Sequence, residues 1–117
     1  MNFHPNLNDI GSVQIGGAIT VNSYEDKVHG NAEYRKKQNV EILTDYLNNL
    51  NLVHAQEKEL PNMSADAYIV YFDNDGEQVQ KFIIYGQVFI KDIEKNTLYR
   101  VKYNPLIIDE IETLPFE

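Results

Sequence analysis

The first clear pattern in the chain is an alternation. Between residues 12 and 22, Val13, Ile15, Ile19 and Val21 recur on alternate positions with Gln14 and Thr20 opposite, the period of a strand that buries one face. Gly16 and Gly17 stand in its middle, where glycine weakens a flat strand without supplying a side chain to pack, so a bulge or a close backbone crossing is expected there. The preceding residues 1–11, Asn-rich and broken by Pro5 and Gly11, show no period and read as a loose arm. Residues 23–37 are polar, with Gly30 interrupting, and read as a loop that enters a helix. Ser23-Tyr24-Glu25-Asp26 only resembles a capping box, because Asp replaces the Glu or Gln of its last position.

Near Lys37 the period changes. Val40, Leu43, Leu47 and Leu50 step by threes and fours, and Ile42 and Tyr46 widen the stripe, which predicts an amphipathic helix over residues 37–49. Asn31 could cap an earlier start and add Tyr34 to that face. A short edge strand is expected within residues 52–57, then a loop of turn-forming residues over 61–66. Four β-rich runs follow, at 67–73 (AYIVYFD), 79–85 (VQKFIIY), 87–92 (QVFIKD) and 97–103 (TLYRVKY), joined by links so short that the strands must be antiparallel neighbours. Asp75-Gly76 predicts a type I′ hairpin turn, in which both residues take positive φ. Asn104-Pro105 reads as an N-cap with proline at the first helical position, and Ile107, Ile111 and Leu114 continue at helical spacing towards Pro115. The expected fold is therefore α+β in one domain: an antiparallel β-meander of four to five strands, one amphipathic helix packed on one face, and a short C-terminal helix.

Composition restricts partners more than it restricts the fold. Ten Lys and Arg against eighteen Asp and Glu give a net charge of −8, a field that repels phosphate backbones and anionic headgroups, so nucleic acid is not an expected partner. No run approaches the roughly 18 apolar residues of a membrane span, so no membrane insertion by this chain is expected. The absence of cysteine removes disulfides, thiolate metal sites and Cys nucleophiles while leaving the compartment open. The opening MNFHPNLNDIG has neither a basic segment nor an apolar run, so no signal peptide is expected within it.

Candidate chemistry is sparse. Asp73-Asn74-Asp75-Gly76-Glu77 looks like the start of a calcium loop, but Gln78 falls where that loop requires glycine and Ile84 where it requires a bidentate Glu, which leaves a hairpin turn. His4, His29 and His54 are scattered, whereas zinc needs three or four convergent ligands. None of Ser12, Ser23 and Ser64 lies in an activating context. Gly16-Gly17 has no phosphate-loop spacing around it. Asp109 and Glu110 are adjacent on a helix and point apart. Arg35-Lys36-Lys37, in an acidic chain, reads as a solvated helix start. No catalytic residue, metal or cofactor is expected.

The aromatic residues do ask for an explanation. Tyr68, Tyr71, Tyr85, Tyr99 and Tyr103 fall in the meander with Phe72, Phe82 and Phe89. Tyr68, Val70 and Phe72 share one face of their strand and Ile69 and Tyr71 the other; on the next, Phe82 and Ile84 oppose Val79, Ile83 and Tyr85. Both faces are apolar, and one helix covers only one of them. The second cover is the C-terminal helix through Ile107, Ile111 and Leu114, a second copy of the chain, or a partner protein. With its order of strand, polar loop, helix and Tyr-rich meander closing on FIIYGQVFIKDIEKNTLYRVKYN, the chain resembles small uncharacterised domains of secreted proteins and lipoproteins of Gram-positive bacteria, over about residues 12–114. The resemblance rests on element order and on the Tyr85-Gly86 and Tyr99-Arg100-Val101 texture; it implies an extracytoplasmic, signal-cleaved domain and assigns no site residues.

The function expected from these features is a non-enzymatic interaction module that binds a protein partner or a second copy through a Tyr/Phe-rich sheet face including Tyr71, Tyr85 and Phe89. Two other classes remain open. One is a small-ligand carrier or enzyme with a pocket between helix and sheet, using Tyr hydroxyls and Glu41 or Asp45. The other is an acidic mimic acting through Asp109, Glu110 and Glu112.

Overall fold

The computed structural model describes residues 1–60, 64–103 and 106–117. Among the described residues, eight strands are present: β1 (Ile10–Gly17), β2 (Asp26–Val28), β3 (Asn31–Tyr34), β4 (Leu52–His54), β5 (Ala67–Asp73), β6 (Gln78–Tyr85), β7 (Phe89–Asp92) and β8 (Thr97–Val101). They form one sheet in the order β2-β3-β1-β5-β6-β7-β8-β4, with each neighbouring pair antiparallel. Two helices complete the α+β fold, α1 (Lys37–Asn49) and α2 (Ile107–Glu112).

The meander β5–β8 and the helix α1 occupy the segments that periodicity assigns to them, and β4 is an edge strand. The sheet is nonetheless larger than the four to five strands expected. The difference lies mainly in residues 23–37, where the expected loop contains the β2–β3 hairpin. His29 and Gly30 both take positive φ, 51° and 84°, the conformation that turns a chain within two residues. With strands of only three and four residues, and with exposed or half-exposed side chains throughout β2, the hairpin shows no period long enough to read. The Asp75-Gly76 turn also departs from expectation, since only Gly76 has positive φ (81°). The loop is closed instead by Asp73 N donating to the Glu77 carbonyl at 2.9 Å, and Asp73 Oδ1 accepts from the amides of Asp75 and Glu77.

The helix α1 buries Val40, Leu43, Thr44 and Leu47. Its first turn has no acidic residue and Lys36 at the N-cap gives no side-chain bond. The loop before β2 supplies the missing acceptor. The Glu25 carboxylate accepts from the amides of Arg35 and Lys36 at 2.8 and 2.9 Å and from Asn39 Nδ2 at 3.0 Å, which satisfies the N-cap amide and ties the entry of the helix to this loop. In the segment before β1, Asn6 caps a 3₁₀ turn at Leu7–Asp9, and the Phe3 ring packs edge-on against Tyr71 and Phe82 at 4.8 and 5.4 Å. The expected Asn104-Pro105 cap lies outside the described residues. No helix among the described residues is long and apolar enough to cross a membrane.

Candidate interaction face

All the major covers pack on one side of the sheet. Val40, Leu43 and Leu47 of α1 and Ile107, Ile108 and Ile111 of α2 join one cluster with Val13, Ile15, Tyr34, Ile69, Tyr71, Phe82, Ile84 and Ile90 of the strands, and Met1, Phe3 and Leu7 pack against it. The C-terminal tail closes the same side: Phe116 stacks on Tyr34 with centroids 4.2 Å apart, and Glu117 N donates to Asn39 Oδ1 at 2.8 Å. The C-terminal helix thus shares the face that α1 covers and does not reach the opposite one.

Alternation then fixes what the opposite face carries. Tyr68 pairs with Ile83 and Val70 with Lys81 across β5 and β6. Further out, Tyr85 pairs with Phe89 and Ile83 with Lys91, then Lys91 with Leu98 and Phe89 with Arg100. Tyr68 is 36% exposed and Val79 41%, while Val70, Phe72, Lys81, Ile83 and Tyr85 are half-buried. The Lys81 ammonium lies 5.7 Å from the centre of the Tyr68 ring, within cation–π range. That ring rests on Gly16: a Cβ there would stand 2.5 Å from Tyr68 Cε2, so this glycine serves the close approach anticipated for it. At the β3 side, buried Glu33 accepts from Arg35 Nε at 2.7 Å and Gln14 Nε2 at 3.0 Å.

The far end of this face has a small cover of its own. Residues 56–60, containing the 3₁₀ turn Glu57–Glu59, send Glu57 to Lys91 at 2.7 Å and Glu59 to Arg100 at 4.0 Å. Phe89 and Leu98, in register beside those cations, are 7% and 4% exposed yet stand outside the main cluster. This strap lies over the β7–β8 end, and among the described residues nothing of it reaches the β5–β6 part.

The three expected site residues separate accordingly. Tyr85 lies on the second face and is partly accessible. Tyr71 is fully buried on the first face, because β5 pairs it with Gln80; its hydroxyl shares a 2.8 Å hydrogen bond with Thr44 Oγ1, and burial raises its pKa. Phe89 is on the second face but under cover. Neither Tyr71 nor Phe89 offers a ring to a partner. Beside Tyr85 the second face carries Tyr68, Val70, Phe72, Lys81 and Ile83, residues outside the expected set that strand parity assigns to it.

Other candidates serve the fold. Tyr46 donates to Glu110 Oε1 at 2.8 Å, and Glu112 accepts from the Thr20 amide at 2.7 Å, so two of the three carboxylates of the acidic-mimic reading are internal ties. Glu41 and Asp45 are exposed and border a hollow of about 180 Å³ between residues 4–7 and α1; the helix–sheet interface itself is filled by Phe3 and Tyr71. No group of three metal-ligating side chains occurs among the described residues. Family models, curated proteins and solved structures yield no match to the chain.

Proposed function

We propose that the protein is a non-enzymatic interaction module that docks another polypeptide on the open β5–β6 part of its second sheet face. The observation that supports this most is the one-sided arrangement of the covers. Both helices, the N-terminal arm and the C-terminal tail pack on one face, while Tyr68, Val70, Phe72, Ile83 and Tyr85 remain accessible on the other. Apolar side chains left partly exposed side by side on one sheet face are what a contact site presents, and tyrosine suits it because the ring is apolar and the hydroxyl remains hydrated.

Selection from an unbiased displayed-peptide library, followed by amide-shift mapping of the enriched peptides on labelled protein, tests the reading. Shifts centred on residues 68–72 and 81–85, lost in Tyr68→Ser/Ile83→Ser protein of native fold, are expected. Enriched peptides that map to the helical side, or a selection that enriches none, would overturn it.

A further inference from the structure

Resting on that reading, we infer that the occupant of the open face is a short acidic segment of another protein, of the same chemistry as the strap at residues 56–60. The strap serves as an internal template. It is a Gln-Glu-Lys-Glu-Leu stretch that places carboxylates on Lys91 and Arg100 over half of the face, beside the apolar side chains Phe89 and Leu98. The β5–β6 half repeats that pattern with no cover among the described residues: aromatic and aliphatic side chains at Tyr68, Val70 and Ile83, and one cation, Lys81, in register with Val70 and beside the Tyr68 ring.

Charge favours this occupant over two others. The chain carries −8, yet the outward positions of β5 and β6 hold no carboxylate. Arg35, Lys91 and Arg100 are each paired with a carboxylate of the chain itself, whereas Lys81 has no acidic partner among the described residues and leans on the Tyr68 ring. Among the described residues, the β5–β6 part of the face presents one cation, Lys81, which provides too few phosphate contacts for a nucleic acid. A second copy placed face to face would bring Lys81 towards its own counterpart across a two-fold axis, and would set two acidic chains against each other. A carboxylate-bearing strand or turn meets neither objection.

The test uses three synthetic twelve-residue peptides that alternate Leu with Glu, with Gln or with Lys, titrated into the labelled full chain at two salt concentrations. The Glu peptide is expected to bind most tightly, to shift Tyr68, Lys81 and Ile83, and to weaken with added salt. Lys81→Gln should reduce its affinity by roughly fivefold, the size of one exposed ion pair, while leaving the Gln peptide unaffected. Equal binding of the Glu and Gln peptides at this face would overturn the acidic occupant and leave the docking reading standing. Binding of all three away from the face, or of none where library peptides bind elsewhere, would overturn both. Light scattering gives a further arm: a dimer that Lys81→Glu strengthens would replace the acidic partner with a second copy.

Discussion

Single residues in this protein divide into those that hold the sheet and those that face outward from it, and substitutions should separate them. Glu25 belongs to the first group. Burial opposes its ionisation, but hydrogen bonds from Asn39 and from the Lys36 and Arg35 amides, with the Lys36 charge, outweigh that and hold its pKa below the ordinary carboxylate value. A carboxylate with a lowered folded pKa contributes stability that is complete above its unfolded pKa and is lost as pH falls through the folded value. Glu25→Gln should therefore cost about 1 kcal/mol at neutral pH, the size of a helix cap, and less in acid; urea melts at pH 7 and pH 3 would show it, and an equal loss at both would exclude the cap. At the alkaline end, burial raises the pKa of Tyr34, Tyr46 and Tyr71, helped at Tyr46 by Glu110 and at Tyr34 by Glu25. The raised folded pKa means that stability is complete below about pH 10 and drains away above it. These rings should titrate only as the protein unfolds, which phenolate absorbance against pH would follow.

The helix α1 and the hairpins β5–β6 and β7–β8 are legible from the sequence because each has a run long enough to display its period. The β2–β3 hairpin is not, since three or four residues at a sheet edge with polar side chains display none, and its turn depends on positive φ at His29 as well as Gly30. Alternation within β5 and β6 is equally legible, but relating the two strands needs the hairpin register, and that places Tyr71 opposite Gln80 and away from Tyr85. This is why Tyr71 falls out of the candidate site while its neighbours Val70 and Phe72 enter it. Adjacent residues of β6 carry the matching prediction. Ile84 is fully buried and Ile83 partly exposed, so Ile84→Ala should cost about 2–5 kcal/mol and Ile83→Ala about 1 kcal/mol or less. Similar losses at both positions would mean that the two faces are equally covered. At Gly16, alanine would force both the Asn31 side chain and the Tyr68 ring aside, at a cost of about 1–3 kcal/mol in denaturant melts.

For the molecule as a whole, the one-sided cover of the sheet is the decisive feature. Among the described residues, the β4–β5 connection adds to the second face the strap at its β7–β8 end, through side-chain ion pairs of exposed Glu57 and Glu59 that are worth little in water. Glu57→Gln/Glu59→Gln should leave the melting midpoint nearly unchanged while speeding amide exchange around Phe89 and Leu98; a large drop in midpoint would mean that these two ion pairs contribute substantially to global stability.

The most direct measurement is the accessibility of the two faces side by side, from proton relaxation in the presence of a soluble paramagnetic probe. Strong broadening of the Val70 and Ile83 methyls and of the Tyr68 and Tyr85 rings is expected, with the Ile69, Ile84 and Leu43 methyls protected. Val70 and Ile83 methyls as protected as those of Ile69 and Ile84 would contradict the one-sided cover.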